Sequence, residues 1–342
     1  MFKLIEESKI YIVAPPSYAS GGPELLHQLC AALCQRGFDA KMYYCDKFKG
    51  HENYENPVPD RFLIYNTTFV NEVEDDENNL LIVPETVNTE LIKFKHIQKC
   101  MWWLGANNYF WLKEINSHKY LTFLYHWSHR LLRRPTPLTF NQIKNANAVH
   151  LAQCWYAVSY LEKKGLHNIA YLSDYLADRY ITERLDDYPK RHNVILYNPS
   201  RNVKFIHLLQ KANPSLKFVA IKNMSPDEVV DLMRKSKLYI DFGAHPGKDR
   251  MPREAVMCGC CIIVSTLGSA DFFDDMPIPL EYKFERKRKN IPLIMDKIMS
   301  IFQNYDEERQ NFEYYKKYIL QEKNQFESDI DKLFVLKKNR RE

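Results

Sequence analysis

The stretch from residue 238 to 284 carries the side chains that are best suited to do chemistry. A predicted strand ends near Asp241, a loop with Lys248 and Asp249 follows, and a short helical stretch then carries Glu254. A charged loop between a strand and a helix is where an α/β domain holds a polar ligand. A carboxylate on that helix is placed to accept hydrogen bonds from both hydroxyls of a ribose. The alternative interpretation is a solvated surface loop.

A second candidate is the pair Gly21 and Gly22, which lies between a predicted strand and a predicted helix. Glycine lets a backbone come close to a ligand, and the N-terminus of a helix favours anions. The pattern lacks the third glycine of a dinucleotide-binding loop, and it lacks the Gly-Lys-Ser/Thr of an ATPase phosphate loop. A tight turn without a ligand is therefore an equally good interpretation.

A third candidate is the His-x-x-His pair formed by His126 and His129. The pair could contribute to a metal site, but without a carboxylate nearby a structural role is the better interpretation. His126 also follows a predicted strand at Leu121–Tyr125. This position makes it a candidate polar group on the side of an acceptor.

The elements that must position these residues alternate along the chain. Short apolar runs rich in β-branched residues predict strands. They lie at Lys9–Ala14, Ala40–Cys45, Phe62–Tyr65, Leu80–Val83, Cys100–Leu104, Leu121–Tyr125, Ala148–Gln153, Asn168–Leu172, Val194–Tyr197, Lys217–Ile221, Leu238–Phe242 and Cys261–Ser265. Helical stretches separate several of them, and residues 225–228 have the sequence of a capping box with proline at the first helical position. Strands that alternate with helices build parallel sheets, so the sequence predicts an α/β fold.

The chain of 342 residues is long enough for two domains. A polar stretch at residues 183–192, which contains Pro189, is a plausible boundary. The sequence thus predicts an N-terminal Rossmann-like domain at 1–187, a C-terminal Rossmann-like domain at 188–304 and a helical segment at 305–342. Two such domains facing across a cleft would bind their ligand between them.

The composition excludes several classes of protein. A net charge of +5 is too small for a nucleic-acid-binding surface, and only 10 glycines argue against a low-complexity chain. No apolar run approaches the ~20 residues that a bilayer requires, and the first residues lack the pattern of a signal peptide. With eight cysteines, this predicts a cytoplasmic chain with reduced thiols. Basic clusters at 283–289 and 337–341 predict either solvated surface or peripheral contact with an anionic membrane.

Residues 238–284 resemble the donor-binding segment of family-four glycosyltransferases, which have the GT-B fold. The resemblance is strongest at 254–260, where Glu-Ala-Val-Met-Cys-Gly-Cys matches, and at the Gly-Gly-Pro-Glu of 21–24. The Gly-Lys-Asp-Arg-x-Pro-Arg-Glu of 247–254, with the Gly-Ser-Ala of 268–270, looks like a bacterial subgroup associated with capsule and other surface polysaccharides.

The resemblance implies a role for each matching residue. Arg201 and Lys204, which open a helix after a strand, look like the basic pair that neutralises the departing diphosphate, and Glu254 would bind the ribose. The remaining implied contacts are Gly22 near the phosphate or the acceptor, Met224 near the base, and Gly247, Lys248 and Asp249 near the sugar. Arg201, Lys204 and Asp249 are the catalytic candidates.

The chain departs from the family pattern at one position. The family usually has a glutamate eight positions before the second one, and Pro246 stands there in this sequence. The residue that would normally contact the hydroxyls of the donor sugar is therefore missing or replaced. Asp249 and His245 are the two candidates to replace it.

The resemblance implies the transfer of a sugar from a nucleotide-diphosphate sugar to a saccharide or lipid-linked acceptor, with retention of configuration. The donor phosphate would accept the proton of the acceptor, so no protein nucleophile, metal ion or other cofactor is expected. Two alternatives stay open at this point. A nucleotide-sugar epimerase on the same scaffold would alter the donor without an acceptor, and a non-catalytic subunit would only bind the nucleotide sugar.

Overall fold

The computed structural model describes residues 2–46, 50–106, 108–109, 131, 137–181 and 190–337. Within them, the strands are β1 (Lys9–Ala14), β2 (Asp39–Tyr44), β3 (Phe69–Val70), β4 (Leu80–Pro84), β5 (Gln98–Trp103), β6 (Val149–Ala152), β7 (Ile169–Tyr171), β8 (His192–Tyr197), β9 (Lys217–Ala220), β10 (Ser236–Asp241), β11 (Cys261–Ser265) and β12 (Lys283–Phe284). The helices are α1 (Gly21–Gln35), α2 (Phe140–Asn145), α3 (Trp155–Lys163), α4 (Val203–Ala212), α5 (Pro226–Arg234), α6 (Arg250–Met257), α7 (Ile291–Gln303), α8 (Tyr305–Gln310) and α9 (Glu313–Leu333). None of the helices described here is long and apolar enough to cross a bilayer.

The first sheet has the strand order β3-β2-β1-β4-β5-β6-β7, and its described strands all pair in parallel. Strand β1 lies inside the sheet and is buried from Ile10 to Ala14. Its β-branched side chains are covered on both faces, as is usual for a parallel sheet flanked by helices. Lys9 pairs with Asp39 and Ala14 with Tyr44, so β1 and β2 end at the same edge, and α1 begins shortly after that edge.

The second sheet has the order β12-β11-β10-β8-β9, and its strands are also parallel. Helix α5 begins at the predicted capping box. Ser225 Oγ accepts a hydrogen bond from the Glu228 backbone N–H at 3.3 Å, and the Glu228 carboxylate accepts one from the Ser225 N–H at 2.6 Å. Two parallel sheets with helices between their strands confirm the predicted α/β class.

The chain divides into two compact units. One contains the residues up to Asp174 together with those from Gln325 onward, and the other runs from Tyr175 to Asn324. This division falls earlier than the predicted boundary at 187/188, which lies outside the described residues. The predicted helical segment at 305–342 is also divided, since the start of α9 belongs to the second unit and its end to the first.

One strand prediction was wrong. Residues Asp60–Tyr65 form a 3-10 helix, not a strand at Phe62–Tyr65. The reason is a tertiary contact with α1: the buried Glu24 carboxylate accepts hydrogen bonds from Arg61 at 3.0 Å and from the Tyr65 hydroxyl at 2.9 Å. These bonds favour a compact turn at a sequence whose apolar content suggests a strand. The predicted strand at Leu121–Tyr125 lies outside the described residues.

We expect Gly268→Ala to destabilise the protein more than Gly37→Ala. Both glycines have positive φ values, +63° and +84°, so each substitution costs about 1 kcal/mol in backbone strain. A Cβ at Gly268 would also overlap the carbonyl oxygens of His245 and Ala244, whereas nothing lies within 4 Å of a Cβ at Gly37. The clash should lower the free energy of unfolding of Gly268→Ala by about a further 1–3 kcal/mol, measured by urea unfolding. Equal losses in the two variants would contradict this packing.

Candidate functional site

The candidate site lies at the carboxyl edge of the second sheet. Because its strands are parallel, the segments that follow β8, β10, β11 and β12 all begin at this edge. Helices α4 and α6 also begin here, and the N-terminus of a helix favours negative charge. Open α/β sheets bind their ligands outside this edge. The segments after β8 and β10 bring the predicted residues Arg201 and Asp249 together.

Arg201 and Asp249 form a bidentate ion pair. Arg201 Nη1 donates to Asp249 Oδ2 at 3.0 Å and Nη2 donates to Oδ1 at 2.7 Å. His245 Nδ1 lies 2.7 Å from the same Oδ2 atom. Burial alone would raise the pKa of Asp249, but contact with His245 and the charge of Arg201 lower it to about 2. Asp249 is therefore an anion at neutral pH, and it holds the Arg201 guanidinium in one orientation.

The loop after β10 is held by the last residue of β11 and by residues that follow this strand. Ser265 Oγ donates to the Gly243 carbonyl at 2.6 Å, and Ser269 Oγ donates to the Gly247 carbonyl at 2.6 Å. The Ser269 backbone N–H donates to the His245 carbonyl at 3.0 Å. This arrangement explains the Gly-Ser-Ala sequence of 268–270 that the resemblance singles out. Its glycine leaves room for the loop, and its serine fixes Gly247 in place.

The predicted donor-binding residue Lys248 points into the protein. Its ammonium lies 3.0 Å from Glu322 Oε1 on α9, and Arg253 Nη1 lies 2.6 Å from the other carboxylate oxygen. The side chains of all three residues are at most 2% exposed. Arg253 Nη2 also donates to the Lys248 carbonyl at 2.7 Å. Lys248 thus anchors the loop to α9, and any contact that it makes with a ligand comes from its backbone.

The two candidates to replace the glutamate missing at Pro246 contact each other. Asp241, His245 and Asp249 each place one possible metal-ligand atom within 4.8 Å of the others. The Arg201 guanidinium supplies one positive charge to this cluster through its ion pair with Asp249. Burial would lower the pKa of His245, but contact with Asp249 and the charge of Asp241 raise it. The cluster is therefore a network of compensated charges.

The other predicted residues lie as follows. Lys204 is exposed in the first turn of α4, and Glu254 is 9% exposed on α6. Met224 is 38% exposed in the segment after β9. All three belong to segments that begin at the carboxyl edge of the second sheet. Gly22 lies in the first turn of α1 in the first unit, and His126 lies outside the described residues.

The basic cluster at 283–289 is not uniformly a solvated surface. Lys283 is 7% exposed, and its ammonium donates to the Met276 carbonyl at 2.9 Å. Burial lowers the pKa of Lys283 to about 8. Arg286 Nη1 donates to the Phe242 carbonyl, at the end of β10, at 3.1 Å. The sequence alone gave no sign of either contact, because both depend on where β12 joins the sheet.

In the first unit, a buried carboxylate supports the neighbourhood of the glycine loop. Glu85, directly after β4, accepts hydrogen bonds from the Leu104 N–H at 2.9 Å and from Asn108 Nδ2 at 3.2 Å. A Cβ placed on Gly22 would lie 3.6 Å from Leu104 Cδ1. Burial raises the pKa of Glu85 to about 7. Glu85 was not predicted from sequence, since an isolated acidic residue after a strand has many possible roles.

Comparison with known proteins gives the fold. No family model and no curated protein matches the sequence. Anabaena HepE, solved with UDP and glucose, is similar with a TM-score of 0.62 at 9% identity, over 95% of this chain and 98% of HepE. Sucrose-phosphate synthase from Thermosynechococcus elongatus has a TM-score of 0.55 at 13% identity, over 94% of this chain and 100% of the synthase.

A third similar structure is TarM of S. aureus, solved in complex with UDP among other ligands. Its TM-score is 0.50 at 14% identity, over 76% of this chain and 55% of TarM, so this chain spans about half the length of TarM. These proteins are GT-B glycosyltransferases. The two parallel α/β units of this chain are therefore those of the GT-B fold, and at such low identity the likeness extends to the fold alone.

We expect Glu322→Gln to lower the free energy of unfolding by about 3–5 kcal/mol, because it leaves Lys248 and Arg253 buried without a carboxylate. The matched control is Lys323→Gln in the same helix. Lys323 pairs with Asp178, but the two side chains are 51% and 79% exposed, so its loss should cost less than about 1 kcal/mol. Urea unfolding at pH 7 measures both values. Similar losses in the two variants would contradict the proposed anchor.

We expect Glu85 to make the protein less stable as the pH rises from 4.5 to about 7. In this window the unfolded chain has released the Glu85 proton and the folded chain still holds it, which lowers stability by about 3 kcal/mol across the window. Glu85→Gln should lack this component. Urea unfolding of both proteins at several pH values between 4.5 and 8 gives the difference. Parallel pH profiles would show that Glu85 titrates normally.

Proposed function

We propose that this chain is a glycosyltransferase that moves a sugar from a nucleotide-diphosphate sugar to a saccharide or lipid-linked acceptor. The observation that carries the proposal is the Arg201–Asp249 ion pair at the carboxyl edge of the second sheet. A guanidinium oriented at this edge is suited to a phosphate group. The fold supports the proposal, because HepE was solved with UDP and glucose and TarM with UDP.

The chemistry of the site follows from the leaving group. Transfer of the sugar releases a nucleoside diphosphate, and fixed cations stabilise its growing negative charge. Arg201 and Lys204 supply this charge. Asp249 accepts one N–H from each terminal nitrogen of Arg201, and the other N–H groups of this guanidinium have no partner among the described residues. We assign these groups to the diphosphate. Asp249 thereby acts by positioning Arg201.

The remaining donor contacts follow from the segments at the same edge. Glu254 binds the ribose hydroxyls, and Met224 lies beside the base. Gly247 and the backbone of Lys248 face the sugar. Gly22 contacts the donor phosphate or the acceptor, and His126 is assigned to the acceptor side. The acceptor oxygen bonds to the anomeric carbon on the face from which the diphosphate departs, so the configuration of the sugar is retained. The bond from that carbon to the diphosphate breaks, and the departing phosphate takes the proton of the acceptor hydroxyl. This step requires no metal ion or other cofactor.

The proposed family and biological role rest on sequence motifs. Residues 247–260 and 268–270 support membership of the family-four glycosyltransferases and a role in the assembly of bacterial surface polysaccharides. Such a role places the enzyme in the cytoplasm, where it draws on nucleotide sugars and contacts the inner face of the plasma membrane peripherally. An epimerase would convert the donor in the absence of an acceptor, and a binding subunit would leave it unchanged with any acceptor.

The test is a thermal-shift panel of uridine, guanosine, adenosine and cytidine diphosphate sugars. One of them should raise the melting temperature of the wild-type protein by about 5 °C or more at about 100 times its Kd. Glu254→Ala should lose this shift, because the ribose loses its acceptor. Glu307→Ala, which removes an exposed glutamate of α8, is the control and should retain the shift. A wild-type protein that ignores the whole panel would contradict the proposed function.

A further inference from the structure

The Arg286 side chain, in the segment that follows β12, lies along the carboxyl edge of the second sheet. Arg286 Nη1 donates to the Phe242 carbonyl, which directly follows β10, at 3.1 Å. Strand β11 lies between β12 and β10, so the Arg286 side chain reaches past the end of β11. Asn202 Nδ2, in the segment after β8, lies 3.5 Å from the same carbonyl. Side chains from the segments after β12 and β8 therefore both contact the backbone at the end of β10.

Arg201 borders the next residue of the same backbone. A Cβ placed on Gly243 would lie 2.9 Å from Arg201 Cδ and 3.2 Å from Arg201 Nη1. The Phe242–Gly243 peptide unit is thus contacted by Arg286 through its carbonyl and by Arg201 at its glycine. Glycine at this position is what lets Arg201 come so close. Two guanidinium groups consequently share one strand end.

The charges of the two arginines are compensated differently. Arg201 is ion-paired with Asp249, whereas Arg286 forms no ion pair with a carboxylate of the described residues. Its neighbour Glu285 pairs with Lys287 at 2.9 Å. Arg286 is exposed, and a single one of its five N–H donors has a partner in the described part of the chain. The carbonyl bond holds the side chain in place and leaves its charge for an anion.

We propose that Arg286 binds the diphosphate of the nucleotide donor as a second fixed guanidinium beside Arg201. The planar guanidinium matches the geometry of phosphate oxygens, and two such groups at one strand end suit a ligand with two phosphates. Arg286 then contributes to neutralising the leaving group, together with Arg201 and Lys204. This inference rests on the proposed function and adds a residue that neither the motifs nor the spacing of the sequence indicates.

The experiment compares the affinity for a nucleoside diphosphate with the affinity for its nucleoside. The probes are UDP and uridine, or the pair with the base that the thermal-shift panel selects, measured by isothermal titration calorimetry. Arg286→Gln should weaken UDP binding by about tenfold and leave uridine binding unchanged, because the lost contact is to phosphate. Arg286→Lys should recover part of the affinity. Arg288→Gln, an exposed arginine two residues along, is the control and should bind UDP like the wild type.

The outcomes separate this inference from the proposed function. If the wild-type protein binds the diphosphate and Arg286→Gln binds it equally well, Arg286 has no part in the site although the proposed function stands. A variant that loses uridine and UDP affinity to the same extent would show a general structural effect and also overturn the role in phosphate binding. If the wild type binds no nucleoside diphosphate, the proposed function itself fails. The melting temperature of the unliganded Arg286→Gln variant, expected to match the wild type, verifies its folding.

Discussion

The ion pair between Arg201 and Asp249 is the interaction on which the rest of the candidate site depends. The Asp249 side chain is only 9% exposed, and a carboxylate removed from water in this way requires a cation and further polar contacts to stay ionised. Arg201 supplies the cation and His245 an additional contact. The pair in turn sets where the segment after β8 and the loop after β10 come together. The orientation of the Arg201 guanidinium is therefore set by its ion pair with Asp249.

The loop that carries Asp249 is also held by contacts with other segments of the chain. Ser265 at the end of β11 and Ser269 after it bind the loop backbone, and Glu322 of α9 binds the Lys248 side chain. These supports belong to segments far apart in the chain. Because these contacts hold the loop, the Arg201–Asp249 pair should reorient little when a ligand binds. Cations that are already fixed in position stabilise a developing negative charge most effectively.

Local sequence patterns predicted most of the described strands. The wrong strand prediction and the residues that were not predicted are both explained by tertiary contacts. The runs Lys9–Ala14 and Cys261–Ser265 are strands with the predicted bounds, because they are buried and rich in β-branched residues. The prediction of a strand at Phe62–Tyr65 was wrong, because Glu24 of α1 binds Arg61 before the stretch and Tyr65 at its end. Arg286 and Glu322 could not be predicted from sequence. Their roles follow from strand order and from the path of α9, neither of which leaves a local signal.

The departure at Pro246 changes how the proposed donor site works. A glutamate at that position would contact the sugar independently of the diphosphate group. Here the carboxylate that stands nearest in sequence, Asp249, already binds Arg201 through both of its oxygens. A sugar hydroxyl that binds Asp249 would have to share it with the guanidinium that we assign to the diphosphate. Contacts to the sugar and to the leaving group are then coupled through one ion pair, so substitutions at either residue affect both.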